Sequence, residues 1–78
     1  RILIVDDDFV NRKLPAVVLG RVGHEVVEAA TGAEALACVV NEAFDVVLLD
    51  LTMPDMSGYE VCRQLRAGDD SGRLRVVA

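Results

Sequence analysis

Two short stretches of the chain are apolar at every position and two more are largely so, while three longer ones between them are apolar at helical spacing. Residues 2–5 (Ile-Leu-Ile-Val) form an uninterrupted aliphatic run, the pattern of a strand covered on both faces in a parallel sheet. Asp6, Asp7 and Asp8 stop it. Over residues 10–22, Leu14, Val17, Val18 and Val22 recur at helical spacing, leaving Arg12, Lys13 and Arg21 for solvent. Pro15 falls within this segment. Proline costs around 3 kcal/mol or more in a helix interior and little in a first turn. The helix is therefore expected to start near Val10 or Asn11, with Pro15 close to its first turn and Gly20 and Gly23 ending it.

Residues 25–29 predict a second short strand. Thr31 followed by Glu34 has the form of a capping box, opening a helix with Leu36, Val39, Val40 and Ala43 on one face. Residues 45–50 (Asp-Val-Val-Leu-Leu-Asp) make a third strand that ends in an acid. A loop at 53–56 leads to a second capping box, Ser57 and Glu60, and a helix that presents Val61, Cys62 and Leu65. Residues 68–72 form a polar turn, and 74–78 start a fourth strand. The order β-α-β-α-β-α-β implies right-handed crossovers and an α/β fold, a doubly wound parallel sheet with helices on both sides.

Composition narrows the class of function. The chain has 78 residues, enough for one domain, and a net charge of −5. Its eight Lys and Arg are scattered, which argues against direct nucleic-acid binding. No apolar run approaches the roughly 18 residues of a membrane span, and no signal peptide is visible. Cys38 and Cys62 stand alone and read as small apolar residues in a reducing cytoplasm. The chain starts without Met and stops within an apolar run, so it is expected to be part of a longer protein.

The acids carry the chemistry. Ligands of open parallel sheets bind at the carboxyl ends of the strands, near the point where strand order reverses. Asp6 and Asp7 close the first strand and Asp50 closes the third. No Lys or Arg lies next to them in sequence. Clustered carboxylates repel unless a cation joins them, and Mg²⁺, which prefers oxygen ligands and bridges to phosphate, suits such a set. A carboxylate can also act as a nucleophile and become an aspartyl phosphate. Asp50, at the tip of a rigid apolar strand, is best placed for that role. Asp8 has a plainer use at the start of the first helix, where the dipole favours negative charge.

Four blocks of sequence resemble response-regulator receiver domains of two-component phosphorelays. They are Ile-Leu-Ile-Val-Asp-Asp-Asp at 2–8, Gly-His-Glu-Val at 23–26, Ala-Thr-Gly-Ala-Glu-Ala-Leu at 30–36 and the specific block Asp-Val-Val-Leu-Leu-Asp-Leu-Thr-Met-Pro-Asp-Met-Ser-Gly-Tyr-Glu at 45–60. The resemblance implies a flavodoxin-like sheet of strand order 2-1-3-4-5, an order for which a member of this family is a standard example. It implies Asp50 as phosphoacceptor, Asp7 as direct Mg²⁺ ligand and Asp6 as its partner, often acting through water. The Thr52 main-chain carbonyl would be a third protein ligand, and the Thr52 side chain would tune dephosphorylation. The implied partner is a histidine kinase or a histidine phosphotransfer domain. Asn11-Arg12 after the acids resembles receivers joined to hybrid histidine kinases. The family's Ser or Thr after strand four, and its Lys after strand five, would both fall beyond Ala78, and the sole lysine here is Lys13. Residues 1–78 are therefore expected to form a receiver domain from β1 to β4 only. Its open fourth strand would favour self-association.

His24 precedes the second strand, at the end of the sheet away from Asp50, and reads as a solvated loop residue. Rival functions fit less well. A dehalogenase-like phosphatase, also an aspartyl-phosphate enzyme, requires an acid two residues after the nucleophile, where Thr52 stands. Phosphate-binding loops require glycines where Asp6-Asp7-Asp8 stand. A pseudo-receiver, an interaction module that is not phosphorylated, is the alternative, and intact Asp7 and Asp50 argue against it.

Overall fold

In the computed structural model of the chain, which describes residues 1–51, 53–69 and 72–78, four parallel strands form one sheet in the order β2-β1-β3-β4. The strands are β1 (Ile2–Val5), β2 (Val26–Ala29), β3 (Val46–Leu49) and β4 (Arg75–Val77). Helices α1 (Phe9–Arg21), α2 (Gly32–Asn41) and α3 (Gly58–Ala67) connect them. The alternating pattern thus yields the expected doubly wound architecture, and the strand order starts as the receiver resemblance implies. Elements begin and end within a residue or two of the expected positions. The polar turn at 68–72 includes residues 70 and 71, which lie outside the described residues.

β1 is central. Leu3 pairs with Val27 on one side and Val47 on the other, and Val5 with Ala29 and Leu49. Side chains alternate between the two faces. Leu3, Val5, Val47 and Leu49 point to one face and pack with Ala35 of α2 and with Val61 and Leu65 of α3. Ile2 and Ile4 point to the other and pack with Ala16 and Leu19 of α1. Full burial of β1 on both sides explains why its sequence has no polar position.

The helix faces differ from those expected. Leu14, Val18 and Val22 are 64%, 61% and 68% exposed. α1 docks instead through Arg12, Ala16 and Leu19, which also recur at helical spacing. Apolar residues occur all round this helix, so periodicity alone does not select the docking side. Small Ala16 allows close approach to Ile2 and Ile4, while Arg12 reaches Glu28 on β2. Pro15 is the seventh residue of α1, well inside it rather than near the first turn. The helix starts earlier than expected because Asp8 caps it, accepting a hydrogen bond from Asn11 N–H at 3.0 Å. In α2 the core contact is Ala35, fully buried, flanked by Leu36 and Val39. Val40 is 83% exposed, and Ala43 lies beyond the helix end.

Two substitutions separate these burial classes. Leu3→Ala empties a fully buried site and is expected to cost about 2–5 kcal/mol. Val40→Ala removes a solvated side chain and should change stability by no more than about 0.5 kcal/mol. Chemical denaturation of both variants checks the pair, and a Val40→Ala loss comparable to that of Leu3→Ala would contradict the α2 packing.

Candidate functional site at the carboxyl rim of the sheet

The strand ladders run directly into the acids. Asp6 N–H donates to Ala29 carbonyl at 3.1 Å and Asp50 N–H to Val5 carbonyl at 2.9 Å. The parallel register of β1 and β3 therefore delivers both residues to the same rim. Carboxylate oxygens of Asp6, Asp7 and Asp50 all lie within 4.8 Å of one another. Asp7 is exposed, and Asp6 and Asp50 are half-buried. Asp6 and Asp50 border a cleft of about 240 Å³ between β1, β3, α1 and the end of β4, lined also by Asn11 and Pro15. Three hard oxygen donors at this spacing fit an octahedral divalent cation that keeps part of its water shell. Thr52, expected to contribute its carbonyl, lies outside the described residues.

Neighbouring acids are occupied differently. Asp8 is the α1 cap, the plainer role expected of it. One Asp6 oxygen accepts Asp8 N–H at 2.9 Å, which stiffens the turn that carries Asp7. His24 is exposed and sits before β2, at the opposite end of the sheet from Asp50. Cys38 and Cys62 are free, half-buried thiols packed against the core.

The loop after Asp50 is tied from two directions. Gly58 N–H donates to Leu51 carbonyl at 3.2 Å. A Cβ on Gly58 would lie 2.3 Å from Leu51 Cα and 2.7 Å from Asp50 carbonyl oxygen, so only glycine fits this contact. Further along, Asp55 accepts hydrogen bonds from Gly32 N–H at 3.1 Å and Ala33 N–H at 3.2 Å. These are free donors at the start of α2. Thr31 Oγ1 takes the next one, from Glu34 N–H at 3.1 Å. The Gly32 bond, reinforced by that from Ala33, holds the Asp55 carboxyl below its ordinary value of 3.8.

Two functional contacts were not visible in the sequence. Asp55 reaches α2 across 22 or 23 positions. Arg12, which the pattern left for solvent, donates from Nη1 to the Asp6 carbonyl at 2.9 Å and from Nε to Glu28 at 3.1 Å. The one available signal was its spacing of four and seven from Ala16 and Leu19.

A doubly wound parallel α/β sheet with an acidic triad at its carboxyl rim sets the class of fold and the place of its site. The chain belongs to the response regulator receiver domain family, whose match covers residues 2–78. It is 48% identical over 79 residues to the response regulator MprA of Mycobacterium sp. (strain KMS), covering all of this chain and 34% of that protein. Among solved structures, it resembles a CheY-like receiver domain protein from Methanospirillum hungatei JF-1, with TM-score 0.90 and 37% identity over 97% of this chain and 61% of that one. It also resembles the structure of the histidine kinase ThkA in complex with the response regulator TrrA of Thermotoga maritima. There the TM-score is 0.87 and the identity 36%, over 97% of this chain and 66% of that chain. The chain spans about a third, 34%, of the length of the curated relative MprA. Among the described residues, no helix is long and apolar enough to cross a membrane.

The Asp55 tie has a pH signature. A depressed folded pKa stabilises the fold fully above the unfolded value of 3.8, and this contribution is lost as pH falls through the lower folded value. Asp55→Asn should therefore flatten the acid limb of the stability curve below pH 3.8. Thermal melts from pH 2 to 7 test this, and an unchanged acid limb would remove the tie.

Proposed function

We propose that Asp50 accepts a phosphoryl group from the phosphohistidine of a histidine kinase or histidine phosphotransfer domain, in a cytoplasmic phosphorelay. The supporting observation is the convergence of Asp6, Asp7 and Asp50 within 4.8 Å at the rim of a receiver-family sheet. In this reading an Asp50 carboxylate oxygen attacks phosphorus. The O–P bond forms as the N–P bond breaks, and the imidazole nitrogen leaves. Asp6 and Asp7, with Asp50 and the main-chain carbonyl of Thr52, would hold Mg²⁺. When bound, the ion would neutralise charge on the phosphoryl oxygens. Asp50 is anchored for attack by its N–H bond to Val5 and by the Gly58 contact behind its peptide. The Thr52 side chain would meet the water that hydrolyses the acyl phosphate. The kinase complex of the similar TrrA supports the choice of partner class. An unphosphorylated interaction module is the less favoured reading, because the acids it would not need are all present and convergent.

Incubating the full-length protein with a small phosphodonor and Mg²⁺ should add one phosphate to the intact mass, stable in acid and labile in base. Asp50→Asn should abolish it, and undiminished labelling in that variant would refute the acceptor assignment. In the same assay Thr52→Lys should alter the decay rate while leaving the melting temperature in place. An unaltered decay would leave Thr52 without its role.

The metal assignment separates adjacent acids. Asp7→Asn should weaken Mg²⁺ binding about 10-fold or more. Asp8→Asn, which still caps α1, should leave it nearly unchanged. Equal losses in a calorimetric titration would overturn the division of roles.

A further inference from the structure

The peptide that carries Asp6 and Asp7 leaves the sheet at the point where three carboxylates crowd together. Its N–H still belongs to the ladder, bonded to Ala29. The Asp6 carbonyl accepts from Arg12 Nη1 at 2.9 Å. Arg12 is itself fixed. Its Nε donates to Glu28 on β2 at 3.1 Å, its guanidinium lies 5.6 Å from the centre of the Phe9 ring, and its side chain is only 15% exposed. Lys13 Nζ supports Glu28 from the solvent side at 3.1 Å. A planar fork can span two acceptors at a fixed angle, which a single ammonium cannot do. Arg12 thus ties α1, β2 and the β1–α1 turn together at the base of the acid cluster.

We propose that Arg12 is the positioning residue of the acid site: by clamping the Asp6 carbonyl to Glu28, it sets the direction in which Asp6 and Asp7 present their carboxylates toward Asp50. This rests on the reading of those acids as an Mg²⁺ site. A role through charge alone makes the opposite forecast. A cation beside three carboxylates opposes binding of a second cation, so removing it would tighten Mg²⁺. Loss of positioning loosens Mg²⁺, because partners behind metal ligands typically contribute 10–100-fold to affinity. The sign of the change therefore decides between the two.

The experiment is Mg²⁺ titration by calorimetry on the full-length protein, with metal-free melting temperatures measured in parallel. Arg12→Gln and Arg12→Lys should each weaken Mg²⁺ about 10-fold, although one removes the charge and the other keeps it. Lys13→Gln removes a nearby charge without touching Asp6 and should bind as tightly as wild type or more so. Glu28→Asp keeps the charge but shortens the reach, which releases the clamp from its far side. It should reproduce the loss, which preserves the test if an Arg12 variant fails to fold. Arg12→Gln binding at wild-type strength or tighter, or full retention in Arg12→Lys, would overturn the proposal. A weakening that only tracks a fall in melting temperature would overturn it too. Wild-type protein that takes no Mg²⁺ would instead overturn the site reading, and the positioning role with it.

Discussion

Strand β1 pairs along its whole length with β2 on one side and β3 on the other, and the meeting of Asp6 and Asp50 at the rim follows from that register. A one-residue slip of β3 would move Asp50 by about 3.3 Å along the strand and turn Val47 and Leu49 out of the core. Burial therefore fixes the carboxylates. Leu3, Val5, Val47 and Val61 are fully buried, each contributing about 1.5–3 kcal/mol. Two carboxylates about 4 Å apart repel by about 1 kcal/mol in water and about 4 kcal/mol near a protein surface. The core outweighs that repulsion and holds together an acidic triad that would not assemble by its own electrostatics.

The rim is then held by polar ties that reach between elements. Asp8 binds the start of α1, Asp55 the start of α2, and Arg12 the carbonyl of Asp6. Acids close in sequence are thereby given different work. Asp8 and Asp55 satisfy helix N–H groups that would otherwise lack partners. Asp6 and Asp7 each bring a carboxylate oxygen within 4.8 Å of one on Asp50. Main-chain donors thus take up the charge of Asp8 and Asp55, while that of Asp6, Asp7 and Asp50 stays gathered at the rim.

The rim acids were legible in the sequence because β1 and β3 are unbroken apolar runs that an acid terminates; β2 and β4, with fewer apolar residues, were placed by their alternation with the helices. The helix faces were less legible. In α1 the apolar stripe of Leu14, Val18 and Val22 was as regular as the true contact through Ala16 and Leu19, and nothing local distinguished them. In α2, Val40 continued the expected stripe but points to solvent, because Ala35 makes the close contact with the sheet. The capping boxes were half legible. Thr31 and Ser57 cap as expected, and Glu34 reaches back to Ala30 N–H, but Glu60 turns forward to Arg63 and Gln64. The Arg12 and Asp55 ties depend on which segments meet across the sheet, which spacing along one segment does not encode.

Gly58 shows how closely Asp50 is joined to the scaffold. Gly23 and Gly72 have φ of 99° and 68°, so their backbones favour glycine by conformation. Gly58 has no positive φ, and its constraint is space: the missing Cβ would lie 2.3 Å from Leu51 Cα and 2.7 Å from the Asp50 carbonyl oxygen. The first turn of α3 therefore rests on the Asp50–Leu51 peptide. Val61 and Leu65, one and two turns along the same helix, lie fully or almost fully buried against β1 and β3. A close-packed interior transmits displacement rather than absorbing it. Any shift of the Asp50 peptide must therefore be shared by α3, through main-chain contact and a packed core.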